Sequence, residues 1–168
     1  MSGAADPWRD HPVPPMRHEA LYGDRVVRCF QGRPHSLLAL FERSLAQAPQ
    51  AEALVFDGRR WTYAQLDAWS RTLAAALAAQ GLVAGERVIL LLSNRPEFAA
   101  VLLALLRLGV IAVPVGVREQ RPGLAYIAQQ CGACGIVFDS ALADRVPLAD
   151  EAPALRLRLA AESLETLP

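Results

Sequence analysis

The chain has 168 residues, enough for one domain with a real core, and a formal net charge of zero, which excludes a whole-chain field that would draw it to nucleic acid or an anionic membrane. Hydrophobic residues make up 53%, high for a free-standing domain whose surface must be mostly polar. Every one of the 17 basic residues is arginine; lysine does not occur.

Residues 1–33 are Pro-rich, charged and aperiodic, and are expected to form an irregular arm. The opening MSGAADPWRDHPVPP has no apolar stretch of the kind a secretory leader needs. With three cysteines and no leader, no disulfide framework is expected and the cytoplasm is the expected location. Ser36 then caps a helix with Leu37, Leu38, Phe41 and Leu45 on one face, and Pro49 ends it. Two short strands, 53–56 and 60–62, flank Asp57-Gly58, a turn pair that tolerates positive φ, and predict a β-hairpin.

Thr62-Tyr63-Ala64-Gln65 is a capping box, in which a hydroxyl and an amide side chain satisfy each other's backbone N–H groups. Leu66, Trp69, Leu73 and Leu77 place the following helix's apolar stripe, and Gly81 stops it. Residues 87–92 are continuously apolar after Arg87, the pattern of a strand covered on both faces. Asn94, with Pro96 and Glu97 behind it, predicts the start of a helix that is apolar nearly all round: Phe98, Val101, Leu102, Leu103, Leu105, Leu106 and Leu108. Gly109 ends it, and 110–115 reads as a second buried strand. Arg107, Gly109 and Pro114 interrupt this region too often for a membrane span. A helix at 122–130, a strand at 135–138 and a half-exposed strand through Leu155, Leu157 and Leu159 complete the chain. The alternation predicts an α/β fold: a mostly parallel sheet with covering helices joined by βαβ crossovers, plus the N-terminal β-hairpin. A helix apolar on every side needs cover on every side. The expected partner of helix 97–108 is the rest of a longer polypeptide or a second copy of the chain.

Catalytic patterns are few. Cys131 and Cys134 have the C-x-x-C spacing, but Cys29, His11, His18 and His35 are dispersed and supply no second ligand pair for zinc. The motif lies where a helix ends, the end that disfavours a thiolate, so both read as ordinary core or turn cysteines. Asp67, Glu86, Glu97, Asp139 and Asp144 read as solvated faces or caps. No G-x-S-x-G elbow occurs, and no phosphate-cradling glycine loop. The first strand-to-helix turn, Leu92-Ser93-Asn94-Arg95-Pro96, carries side chains and a proline where a pyrophosphate would need bare backbone.

Trp61-Thr62-Tyr63, with Leu66 three positions on, resembles the first core motif of AMP-forming (adenylate-forming) ligases, the family of acyl-CoA synthetases, luciferases and peptide-synthetase adenylation domains. LLRLGVIAVP, ending at Pro114, resembles their second core motif, and GLVAGERVILLLSNRPEF between them and the LAYI beginning at Leu124 match in order and spacing. The resemblance covers about 36–138 and implies that residues 34–168 are a partial N-terminal subdomain, the first part of a larger adenylating domain. It implies a parent that uses ATP, Mg²⁺ and CoA in fatty acid metabolism, forming an acyl-adenylate and then an acyl-CoA. The family's phosphate loop and the C-terminal domain with its lysine are absent, so no catalytic residue, metal ligand or bound cofactor is expected of this chain alone. Pro114 is followed by Val115-Gly116-Val117-Arg118 and not by the Leu-Asp usual in amino-acid-activating domains, which favours an acyl-CoA synthetase-like parent. By position, the resemblance implicates Val115, Gly116, Val117, Arg118, Arg121 and Arg145 at the nucleotide end of CoA. The alternatives are a stand-alone, non-catalytic α/β binding module and a fragment of a peptide-synthetase adenylation domain.

Overall fold

The computed structural model describes residues 13–21 and 23–166; the expectations resting on 1–12, His11 among them, lie outside that range. The polypeptide divides into two compact units, residues 1–40 and 41–168.

The first unit corrects the expectation of an irregular arm. Within 1–33, strands β1 (Met16–Ala20) and β2 (Val26–Phe30) pair antiparallel, with Met16 opposite Phe30 and Ala20 opposite Val26. Gly23 sits in the intervening turn at φ +77°, where a side chain would be strained. Arg17 and Arg33 both donate to Glu19, at 2.7 Å each. Helix α1 (Leu37–Gln47) begins where the Ala39 N–H donates to the Ser36 hydroxyl, as the cap predicts.

In the second unit, β3 (Glu52–Phe56) and β4 (Arg59–Thr62) form the predicted hairpin around Asp57 (φ +47°) and Gly58 (φ +74°). The capping box follows directly: the Gln65 N–H donates to Thr62 Oγ1 at 3.2 Å, and the Thr62 N–H donates to Gln65 Oε1 at 2.9 Å. It starts α2 (Tyr63–Ala79), whose Leu66, Leu73 and Leu77 are buried while Trp69 is half-buried.

The remaining elements are β5 (Arg87–Leu91), α3 (Pro96–Leu108), β6 (Ile111–Pro114), α4 (Arg121–Cys131), β7 (Ala133–Phe138) and β8 (Leu157–Ala160), with 3₁₀ turns at Ser140–Arg145 and Ala161–Thr166. The four strands form one parallel sheet in the order β6-β5-β7-β8. Val88, Ile89, Leu90 and Leu91 are all fully buried, as the unbroken apolar run predicts. Ile89 and Leu91 pack with Leu124 and Ala128 of α4 and with Ile136. Val88 and Leu90 point to the opposite face, where a right-handed β5–α3–β6 crossover puts α3. Each large aliphatic side chain removed from water here contributes about 2 kcal/mol.

Helix α3 is covered largely from within. It packs on α2, and none of its residues is exposed; Phe98, Leu102 and Leu106 are half-buried. Arg107, near its C-terminal end, donates from Nε to Ser70 Oγ at 3.0 Å and also bonds to Asp67. The fully buried Ser70 in turn donates a hydrogen bond from its hydroxyl to the Asp67 backbone carbonyl at 2.9 Å. One arginine therefore fastens α3 to α2, and among the described residues every buried side-chain nitrogen or oxygen keeps a partner.

Two local expectations are corrected. Arg95, not Asn94, is the N-cap of α3, and it makes no side-chain cap bond because its guanidinium is engaged elsewhere. Strand β6 is an edge strand, so it is not buried on all sides: Ile111 is 48% exposed, and Pro114, which has no N–H to donate, sits where an edge tolerates it. Among the described residues no helix is long and apolar enough to cross a membrane.

Candidate functional site

In the sheet order, β5 is the strand from which the chain departs to β6 on one side and to which β7 returns on the other. Such a reversal opens a crevice beyond the carboxyl ends of the strands, the usual ligand position in open α/β sheets. Two groups of side chains converge at this end of the sheet.

The first surrounds Arg95, in the turn after β5. Its Nε donates to Glu97 Oε2 at 2.8 Å, and its Nη1 donates to Asp139 Oδ1 at 2.9 Å and to Glu162 Oε1 at 2.5 Å. Asp139, just past β7 and 8% exposed, also accepts from the Ser93 N–H at 2.9 Å. Glu162 accepts from the Ser140 N–H at 3.1 Å and from its hydroxyl at 2.5 Å. The bond to Glu97, with those to Glu162 and Asp139, holds the arginine's affinity for its proton above the ordinary value. Burial pushes the Glu97 and Asp139 carboxyls upward, but hydrogen bonds from Arg95, and from Ser93 at Asp139, outweigh it and leave both below the usual range. Glu162 is held down to about 2, first by Arg95 and then by Ser140. Of these carboxylates, read from sequence as solvated faces or caps, Glu97 does lie in the first turn of α3, but both it and Asp139 are paired with Arg95 and neither is a free, solvated group. Asp67 is paired with Arg107 and Arg71, and Glu86 with Arg156.

Beside this cluster lies a cavity of about 640 Å³. Its apolar side is Phe56, Trp61, Trp69, Leu73, Ala76, Pro96 and Leu164; its polar side includes Asp57, Arg59, Ser93 and Asn94. Trp61 and Trp69 stack with centroids 6.4 Å apart and planes 22° from parallel. The Arg59 guanidinium lies 4.8 Å from the Trp61 ring centre, within cation–π range. The sequence marks Trp61 only as a hairpin-strand and motif residue and Trp69 as part of a helix's apolar stripe; their convergence with the β5–α3 turn depends on the tertiary fold.

The second group is the set implicated at CoA. The structure brings its members to one rim: Arg145 Nη1 donates to the Val117 carbonyl, and Arg121 Nε donates to the Asp144 carbonyl at 3.0 Å. The Val115 N–H donates to the Leu90 carbonyl at 3.1 Å, and its side chain packs against the core beneath α4. Gly116 has open space where a Cβ would stand. Arg121 and Arg145 are each anchored to a backbone carbonyl, whereas the exposed Arg118 guanidinium makes no hydrogen bond or ion pair among the described residues.

Metal and thiol chemistry find no support among the described residues: no cluster of three ligating side chains occurs, and all three cysteines are free thiols. Cys134 is buried, its Sγ 3.5 Å from the Arg87 carbonyl, and burial raises its thiol above the ordinary value, away from thiolate reactivity.

The architecture has known relatives. The AMP-binding enzyme family matches residues 41–167, and the chain belongs to that family. Over 122 residues it is 34% identical to bovine long-chain fatty acid transport protein 1, covering 71% of this chain and 19% of that protein. Over 118 residues it is 33% identical to a plipastatin synthase polypeptide of Bacillus subtilis, covering 70% of this chain and 5% of that one. Among solved structures, an inhibitor-bound N-terminal domain of FACL13 from Mycobacterium tuberculosis superposes with a TM-score of 0.72 at 27% identity, covering 77% of this chain and 34% of that chain. The chain thus spans a fifth or less of the length of these two curated relatives. It is similar to the N-terminal region of adenylate-forming ligases, with relatives on both the fatty-acid and the peptide-synthetase side.

Proposed function

We propose that this chain is the first part of an adenylating domain, residues 34–168 being scaffold, in a cytoplasmic enzyme that joins a carboxylate to ATP, releases pyrophosphate and passes the acyl group from AMP to CoA. The observation that carries this reading is the family match over 41–167. The residues present do not fit ATP or Mg²⁺. There is no lysine to meet phosphates, and the β5–α3 turn offers Asn94, Arg95 and Pro96 where a phosphate needs bare N–H groups. Adenylation therefore rests on polypeptide outside this chain.

What these residues fit is the acceptor's nucleotide end. Arg121 and Arg145 brace the rim by holding the Asp144 and Val117 carbonyls, which leaves Arg118 to meet a phosphate with two parallel N–H bonds. Val115, Gly116 and Val117 supply a low wall for it. In the protein carrying the whole adenylating domain, Arg118→Ala raises KM for CoA roughly tenfold, the value of one charge-assisted hydrogen bond, and leaves KM for ATP in place. Steady-state CoA-thioester formation measures both constants. An unchanged KM for CoA refutes the assignment of Arg118. A parent that adenylates an amino acid and forms no thioester with CoA refutes the acyl-CoA reading and leaves a peptide-synthetase domain, for which the plipastatin synthase likeness speaks.

A further inference from the structure

The cavity beside Arg95 is not an isolated pit. Through Phe56, Asn94, Arg95 and Pro96 it shares walls with a second hollow of about 290 Å³ that runs on past Leu54 and Phe98. Together they make one groove whose apolar floor is the Trp61–Trp69 stack on one side of the shared walls and Leu54 and Phe98 on the other, with Pro96 between. Phe56, at the junction, is 43% exposed, a large ring facing water. Around the floor stand Asp57, Arg59 and Asn94, whose side chains make no hydrogen bond or ion pair among the described residues. An apolar floor ringed by unpaired donors and acceptors is the anatomy of a polypeptide interface.

We propose that this groove is the docking face for polypeptide of the same protein following position 168, an apolar segment flanked by polar residues. This rests on the reading that the chain is part of a larger adenylating domain. Two observations choose that occupant. The chain covers only 34% of a solved N-terminal domain that shares its fold, so most of such a domain lies outside it. Leu164, in the last described turn, forms part of the cavity wall, and Glu162 two residues earlier is bonded to Arg95 at the cavity edge. A polypeptide running on from that turn starts against the groove. The Arg95 cluster fixes the turn, so that the following segment enters the groove in one register.

Hydroxyl-radical footprinting of the 168-residue chain and of the protein extended in frame by the rest of the domain tests the proposal. The probes are the side chains of Phe56, Trp61 and Trp69, none of them buried in the short chain. All three are expected to react in the short chain and to fall severalfold in reactivity in the long one. Thr72→Arg, an exposed position on the groove's α2 wall, restores reactivity in the long protein by placing a bulky charge in the docking segment's way. It leaves the thermal melt of the short chain unchanged, which controls for folding. Equal reactivity in both proteins overturns the proposal whether or not the variant folds. So does a stop codon directly after Pro168, protection of the short chain that grows with its concentration (a second copy), or protection of the long protein only on adding a small molecule. The footprint is read without turnover, so a long protein that protects the groove yet adenylates nothing refutes the enzymatic reading and leaves this one standing.

Discussion

Arg95 joins three stretches of chain that are distant in sequence: the turn after β5, the turn after β7 at Asp139 and the 3₁₀ turn carrying Glu162. None of these pairings is visible from sequence, because Asp139 and Glu162 lie 44 and 67 residues away and only the sheet order makes them neighbours. Glu97 alone is close enough in sequence to suggest itself, and it reads equally well as a helix-dipole residue. The cluster gives the fold a defined acid sensitivity. Glu162 is lowered from its usual 4.5 to about 2, so its contribution to stability is fully present above pH 4.5 and is lost as the pH falls through about 2. Urea midpoints measured between pH 6 and 2 should therefore show a wild-type advantage over Glu162→Gln that shrinks below about pH 4.5. An advantage that stays constant across that range contradicts the assignment.

At the scale of elements, those with strong local signals stand out in the sequence. The capping box of α2, the Asp57-Gly58 turn and the apolar run of β5 all occur where side-chain chemistry puts them. The β1–β2 hairpin does not, because His18 and Glu19 break any apolar alternation in β1 and Pro-rich surroundings mask the short valine pair of β2. Nor does the edge position of β6, since a continuous apolar run does not say on how many sides a strand is paired. Strand β7 contains a register shift opposite Arg87 and Val88, and Gly135 follows it. A Cβ on Gly135 would stand 3.3 Å from the Leu157 Cβ and 3.3 Å from Val88 Cγ2, tighter than ordinary packing. Gly135→Ala is expected to destabilise the chain by about 1–2 kcal/mol by forcing β8 away from β7. The drop should appear as a lower urea midpoint and faster amide exchange in β8 than in β5; an unchanged midpoint shows that β8 yields freely.

For the whole molecule, the alternation of strands and helices specifies the α/β class and the parallel sheet, and the ordered motifs between Trp61 and Leu124 specify the family that the comparisons bear out over 41–167. What covers α3 depends on tertiary arrangement. Periodicity demands a cover on all sides, and the structure supplies much of it internally from α2, clasped by Arg107, Asp67 and Ser70. What remains open is the groove over Trp61 and Trp69 and the edge of β6, surfaces whose partners no local pattern could name. On the proposed function, this chain is scaffold for an adenylating reaction whose phosphate chemistry lies outside it. ATP–pyrophosphate exchange probes that division of labour, run with a panel of fatty, aromatic and amino acids on the purified 168-residue chain and on the protein extended in frame. Acid-dependent exchange is expected from the extended protein and none above blank from the 168-residue chain; acid-dependent exchange by that chain alone would show that the phosphate chemistry lies within it and overturn the scaffold reading.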